Sequence, residues 1–338
     1  MPKTKQVVRI AVDAMGGDYA PNEIVGGAVL AAKENDDVDI ALVGSRDTIE
    51  GELAKYNTRL PISCVGADGF VTEGEHPALA IRRKSNASVV VAANLVKAGE
   101  AEAMISGGPT GATAASAIRS LGLIPGIDRP AVGGAFETLA PNTVLMDCGV
   151  NADCKPHHFL AFAIMGSVYV KQLLNIANPT VALLSTGAEE GKGNELVKES
   201  YSLLRDSGLN FIGNIEGNDM LSGRANVIVC DGFTGNVILK FYESIGYYAG
   251  EWLKKKLRGF PKVGPAKKLF TSFTSLTRVT EGESIGSGLL WGIDGVVFIM
   301  HGSSKAPQVA RTIAKAREAV KADLVASIKS EIARIIPK

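Results

Sequence analysis

Aromatic residues are scarce in this 338-residue chain, at 6%, and neither sign of charge dominates: 36 Lys and Arg face 35 Asp and Glu. A formal charge of +1 leaves no global electrostatic footprint for nucleic acid, so no nucleic-acid partner is expected. Cysteine is also sparse. Cys64, Cys148, Cys154 and Cys230 are scattered, without a C-x-x-C pair or a zinc-ligand spacing, and read as reduced thiols of a cytosolic protein. The opening Met1-Pro-Lys-Thr-Lys-Gln6 runs into a strand-like segment with no apolar signal core, which predicts an unexported chain.

Several catalytic signatures are missing as well. There is no G-x-x-x-x-G-K-[ST], no G-x-S-x-G elbow, no H-E-x-x-H and no kinase set, which disfavours P-loop, serine-nucleophile and zinc chemistry. The nearest approach to a dinucleotide fingerprint, Gly286-Ser-Gly288-Leu-Leu-Trp-Gly292, has the wrong spacing. His157 and His158 are adjacent, so a helix would point them apart; they read as surface or capping residues, and no metal or cofactor site is expected.

What is present is a large apolar fraction, 46%, in short β-branched runs that alternate with helix-period segments. Strands are expected at 7–12, 38–43, 103–106, 144–147, 181–185, 211–215, 227–230 and 296–300, with helices at 22–35, 88–98, 112–121, 157–174, 190–207 and 307–336. This alternation predicts a three-layer α/β/α body over residues 1–338 with a mainly parallel sheet, covered on both faces because several strands are apolar throughout.

One segment, 246–280, stands apart. From Glu251 to Thr280, eight basic residues, among them Lys254, Lys255, Lys256, Lys267 and Lys268, face Glu251 alone. Leu253, Leu257 and Phe260 precede a Gly/Pro break, and Leu269, Phe273 and Leu276 follow it at helical spacing, so an amphipathic helical hairpin is expected. Three readings stay open: its apolar face packs on the body or a second subunit, Phe260 and Val263 enter an anionic membrane interface beneath the lysines, or an acidic protein docks on it.

The polar residues collect where strands end. Asp13-Ala-Met-Gly16-Gly17-Asp18, Ser106-Gly-Gly108-Pro-Thr110-Gly111, Cys148-Gly-Val-Asn151, Ser185-Thr-Gly187 through Lys192-Gly193, Asp231-Gly-Phe-Thr234-Gly-Asn236 and His301-Gly-Ser303-Ser304 share one rim of a parallel sheet. Glycine permits close backbone approach and the helix that follows offers N–H groups, a combination suited to phosphate. Any one loop is ordinary turn chemistry; six together are a signal.

Read together with Asn151-x-Asp-x-Lys155-Pro156, Glu189-Glu-Gly-Lys192-Gly-Asn-Glu195 and Gly213-Asn-Ile-Glu-Gly217, these loops strongly resemble the bacterial phosphate acyltransferase family of membrane-lipid synthesis. The resemblance implies a fold akin to the phosphotransacetylases and isocitrate dehydrogenases, a homodimer and peripheral membrane association. It also implies transfer of a long-chain acyl group from acyl carrier protein to inorganic phosphate, feeding a membrane glycerol-phosphate acyltransferase. Three sites depart from the family wording: Pro109 replaces an asparagine, Asn218 an arginine, and Ser185-Thr186 an Asn-Ile or Asn-Val pair.

Phosphate is itself the nucleophile in such a reaction, which agrees with the missing serine or cysteine elbow. Backbone N–H groups at Gly16, Gly17, Gly108 and Gly111, with Thr110, Thr234 and Ser303, are expected to hold phosphate, and Lys192 and Asn236 to stabilise the oxyanion or thiolate. Asp231 is read as a proton acceptor, as a partner fixing Lys192, or as a helix cap. Asp13, Asn151 and Lys155 are second choices for the anion and His301 for proton chemistry. A short-chain phosphotransacetylase using acyl-CoA and a catalytically weak phosphate-binding scaffold at the membrane are the alternatives.

Overall fold

The computed structural model describes residues 6–57, 59–136, 139–256 and 287–336. In chain order these form β1 (Val8–Asp13), α1 (Asn22–Glu34), β2 (Val38–Gly44), α2 (Arg46–Leu53), β3 (Ile62–Gly66), α3 (Pro77–Arg83), α4 (Ser88–Lys97), β4 (Ala103–Ser106), α5 (Thr110–Leu121), β5 (Ala131–Phe136) and β6 (Ala140–Met146). They continue with α6 (Pro156–Leu173), β7 (Val181–Leu184), α7 (Glu195–Arg205), β8 (Phe211–Ile215), β9 (Val227–Val229), α8 (Gly232–Lys256), β10 (Ser287–Trp291), β11 (Val296–Met300), α9 (Ala306–Lys321) and α10 (Leu324–Ile335).

The chain divides into two compact units, Met1–Pro130 with Gly286–Lys338, and Ala131–Ile285. In the first, strands run in the order β3-β2-β1-β4-β11-β10, all parallel except β10, which is antiparallel to β11. In the second the order is β5-β6-β9-β7-β8, with only the β5–β6 pair antiparallel. Successive residues Ile10, Ala11 and Val12 are all fully buried, as are Ala182 and Leu183 of β7, so helices cover both faces of each sheet. The expected mainly parallel α/β architecture is observed. The near-fingerprint around Gly288 is simply β10, an antiparallel strand.

Two expected helices differ. The helix expected from residue 190 begins at Glu195, because the Asn194 side chain accepts the Val197 N–H at 2.9 Å and caps it there. The long C-terminal helix is two helices, separated at Asp323, whose left-handed backbone (φ 48°) cannot continue a right-handed turn. The first unit is tied across its helical layer by Asp37, a buried carboxylate before β2. It receives both Arg317 Nε and Nη2 at 2.7 Å, and Lys321, from α9. The Arg317 guanidinium, foremost, holds the Asp37 carboxyl well below the usual carboxylate range.

α8 contains the start of the basic segment. Its inner face places Tyr242 edge-on to Phe136 with ring centroids 5.3 Å apart, beside Leu145 and Ile215. Its outer face carries Phe233, Val237, Phe241, Ile245, Tyr248 and Trp252 at intervals of three and four, all more than half exposed. Lys255 and Lys256 are exposed, and Lys256 Nζ lies 5.9 Å from the Trp252 ring centre. Lys254 lies on the same helix. Leu257, Phe260, Val263, Lys267 and Lys268, and with them the rest of the expected hairpin, lie outside the described residues. Among the described residues no helix is long and apolar enough to cross a membrane.

Candidate functional site

In the first unit, β1, β4 and β11 end side by side, and the loops that follow them interlock. The Ser106 hydroxyl donates to Asp13 Oδ2 at 2.7 Å and accepts the Gly108 N–H at 3.1 Å, while the Met15 N–H donates to Asp13 Oδ1 at 3.2 Å. The 13–18 loop also reaches β11, where the Asp18 N–H donates to the Gly302 carbonyl at 2.8 Å. Gly16 is obligatory here: a Cβ would stand 2.6 Å from both Asp13 Oδ2 and the Gly108 nitrogen. Asp13, Gly16, Gly17 and Gly108 are therefore brought together, with Ser303 on the neighbouring loop. Asp13 is buried and acts as an acceptor that shapes the turn, and burial raises its carboxyl above the ordinary value.

Thr110 and Gly111 open α5, which begins without any side-chain cap. Gly111 packs on Pro77 of α3, where a Cβ would lie 2.7 Å from the ring. His301 and Ser303 are exposed, and Ser303 Oγ lies 2.9 Å from His301 Nδ1. The helix after them is not open, since the Glu23 carboxylate takes the Ala306 N–H at 2.8 Å. Of the α5 and α9 starts, that of α5 keeps the N–H groups of Thr110 and Gly111 for an anion, those of Ala112 and Thr113 being taken by the Pro109 carbonyl at 2.9 and 3.1 Å.

In the second unit, β6, β9, β7 and β8 end on one rim. Its organiser is Asp147, fully buried, which the sequence reading passed over. Its Oδ1 accepts the N–H groups of Val132 (3.1 Å), Gly149 (3.1 Å) and Val150 (3.3 Å), and its Oδ2 those of Asn151 backbone and side chain (both 2.8 Å). Burial raises the Asp147 carboxyl despite these donors. A signal existed: Asp147-Cys-Gly149 is an acidic strand end followed by glycine, as Asp13-Ala-Met-Gly16 is.

The turn built on Asp147 seats the start of α8. The Gly232 N–H donates to the Asn151 carbonyl at 2.7 Å, and a Cβ on Gly235 would overlap the Asp147 carbonyl. Asn236 lies against Gly149, and is exposed. Asp231 is the cap of α8: its carboxylate accepts the Thr234 N–H at 2.8 Å and hydroxyl at 2.9 Å. Asn151, Asp231, Thr234 and Asn236 are thus one cluster. Asn151 is buried and spends its amide on Asp147.

Lys192 is on the same rim, in the loop after β7 and two residues before the α7 cap, exposed and folded against Gly187. Lys155 precedes α6 and is exposed; His158 Nδ1 accepts its N–H at 3.0 Å, so that histidine is a cap, as expected. Cys148 and Cys230 are buried, and burial pushes both thiols up, far from thiolate chemistry.

These mainly parallel sheets, with glycine-bearing loops at their carboxyl ends, have the fold of solved phosphotransacetylases. A phosphotransacetylase from Streptococcus pyogenes superposes with a TM-score of 0.62 over 93% of this chain and 94% of that one, at 17% identity. A branched-chain phosphotransacylase from Enterococcus faecalis gives 0.54 over 93% and 100%, at 16% identity. Within that class the chain belongs to the fatty acid synthesis protein family, whose model matches residues 8–327. The phosphate acyltransferase of Pelotomaculum thermopropionicum is 45% identical over 335 residues, 97% of this chain and 96% of that protein. That of Thermosynechococcus vestitus is 45% identical over 316 residues, 92% of each. The resemblance read from the loops is borne out.

Proposed function

We propose that this chain is a phosphate acyltransferase that moves a long-chain acyl group from the thioester of acyl carrier protein to inorganic phosphate. The observation that carries the reading is the α5 start, which has no side-chain cap and stands beside the interlocked Gly16 and Gly108 turns. Backbone N–H groups there, with Thr110 and Ser303, bind the phosphate dianion. Asp13 shapes the loop, since a carboxylate facing phosphate would repel it. A phosphate oxygen attacks the thioester carbon, the tetrahedral adduct expels the thiolate, and the proton released from phosphate ends on that sulfur. Lys192 and Asn236 stabilise the developing negative charge; Asp231 holds the helix that carries Asn236. Lys155 and His301 are assigned to recruiting the anion and to proton exchange.

The exposed aromatic stripe of α8 is the proposed homodimer face. Phe233 to Trp252 spans about 28 Å of helix, a longer apolar strip than a free surface ordinarily leaves in water. The basic segment from Lys254 onward is assigned to an anionic membrane surface, where the product is consumed. Incubating the purified protein with palmitoyl carrier protein and phosphate should release free thiol and acyl phosphate together. Turnover of acetyl-CoA but not of the carrier thioester would assign the short-chain reaction instead, and thiol release independent of phosphate would refute both.

A further inference from the structure

We infer that the outer surface of α3 and α5 is the docking site for an acidic carrier protein that delivers the acyl group; the inference rests on the activity proposed above. α3 and α5 together contain Arg82, Arg83 and Arg119 and no carboxylate. Leu79, Arg82 and Arg83 fall on one face of α3, being three and four residues apart, and Leu79 is 47% exposed. Ile118 on α5 is exposed too. Arg119 joins the two helices, donating to the Ile81 carbonyl at 3.0 Å.

The charges nearby are accounted for. Lys84 pairs with Glu75 at 2.7 Å and also donates to the Phe70 backbone carbonyl at 3.1 Å. Glu73, on the preceding loop, is the exposed acid nearest in sequence. Arg82 and Arg83 make no ion pair with any described residue. Two unpartnered guanidinium groups held beside two exposed aliphatic side chains fit an acidic helix that also offers an apolar contact.

Position selects the carrier rather than another acidic protein. Pro77, the first residue of α3, packs on Gly111 in the first turn of α5, the helix start assigned above to phosphate. A carrier seated on α3 would bring its tethered thioester to the rim where phosphate waits. A lipid surface or a second copy of this chain is the competing occupant.

The test is R82E/R83E in the full-length protein, with fold checked by circular dichroism. Fluorescence anisotropy with labelled acyl carrier protein should show affinity weaker by at least about tenfold, and a binding curve no longer sensitive to salt between about 50 and 300 mM. Turnover of the carrier thioester should fall in parallel, while a carrier-free N-acetylcysteamine thioester is used as by the parent. Equal losses with both donors, unchanged carrier affinity, or loss of vesicle binding or dimer instead would each overturn the docking site. Carrier binding lost in the variant but no acyl phosphate formed by the parent would uphold it and remove the activity reading.

Discussion

At the scale of single residues, the sequence exposed the glycine turns and concealed their anchors. Gly16, Gly108 and Asn236 are legible because glycine-bearing loops recur after six strands, although any one of them is ordinary turn chemistry. Asp147 was not, since a buried acceptor is recognisable only once the N–H groups around it are placed. Its carboxylate satisfies four backbone donors and one amide, so Asp147→Asn leaves at least one donor facing an NH2 group. A loss of about 1–3 kcal/mol in urea unfolding is expected, and an unchanged midpoint would refute the clamp. Because the Asp147 carboxyl is raised, the native state holds its proton to higher pH than the unfolded chain, so this group erodes stability as pH rises through that window. Lys192→Ala and Asn236→Ala belong to a different kind of role. Each should lower acyl-phosphate formation by about 10²–10³ with folding intact, and parental rates in both would remove them from the reaction.

At the scale of elements, periodicity found most of the long helices and most strands but not their ends, and it missed the first half of α8. A cap decides where α7 begins, and one left-handed residue divides α9 from α10; neither alters the apolar spacing that a sequence reading follows. Asp37 shows an element joined by charge. Both cations of α9 are partly exposed, which trims the roughly 3–5 kcal/mol of a broken buried pair to about 2 kcal/mol for Asp37→Asn at neutral pH. Its folded carboxyl is depressed, so the stabilisation is present above the ordinary value of 3.8 and fades as pH falls below it. Urea midpoints of parent and variant should therefore differ at pH 7 and converge on acidification; a gap that persists in acid would mean the contact is not ionic. On α8 the periodicity was read only from residue 246 onward, and it could not say which apolar face meets the body. Tyr242 takes the inside and Phe241 the outside. Phe241→Glu should convert a dimer to monomer in sedimentation at micromolar protein, whereas an unaltered dimer would place the interface elsewhere.

At the scale of the whole molecule, charge distribution is the property that no single loop reveals. The chain is nearly neutral, yet eight of its cations fall within residues 251–280 against one carboxylate. A neutral protein with a local cationic segment is held at an anionic interface by that segment alone, since the remainder carries compensating negative charge that the same surface repels. Each lysine near such a surface contributes about 1 kcal/mol, so reversing Lys254, Lys255 and Lys256 should cost at least about 3 kcal/mol, more than a hundredfold in partitioning. In flotation with phosphatidylglycerol-rich vesicles the parent should rise with the lipid and the triple variant should stay in the dense fraction, with neither rising with phosphatidylcholine. Because the contact is electrostatic, added salt should bring the parent down toward the variant as the screening length shrinks. Flotation of the triple variant equal to the parent's would mean that apolar side chains, not the lysines, hold the protein to lipid, and would return the basic segment to a purely structural part.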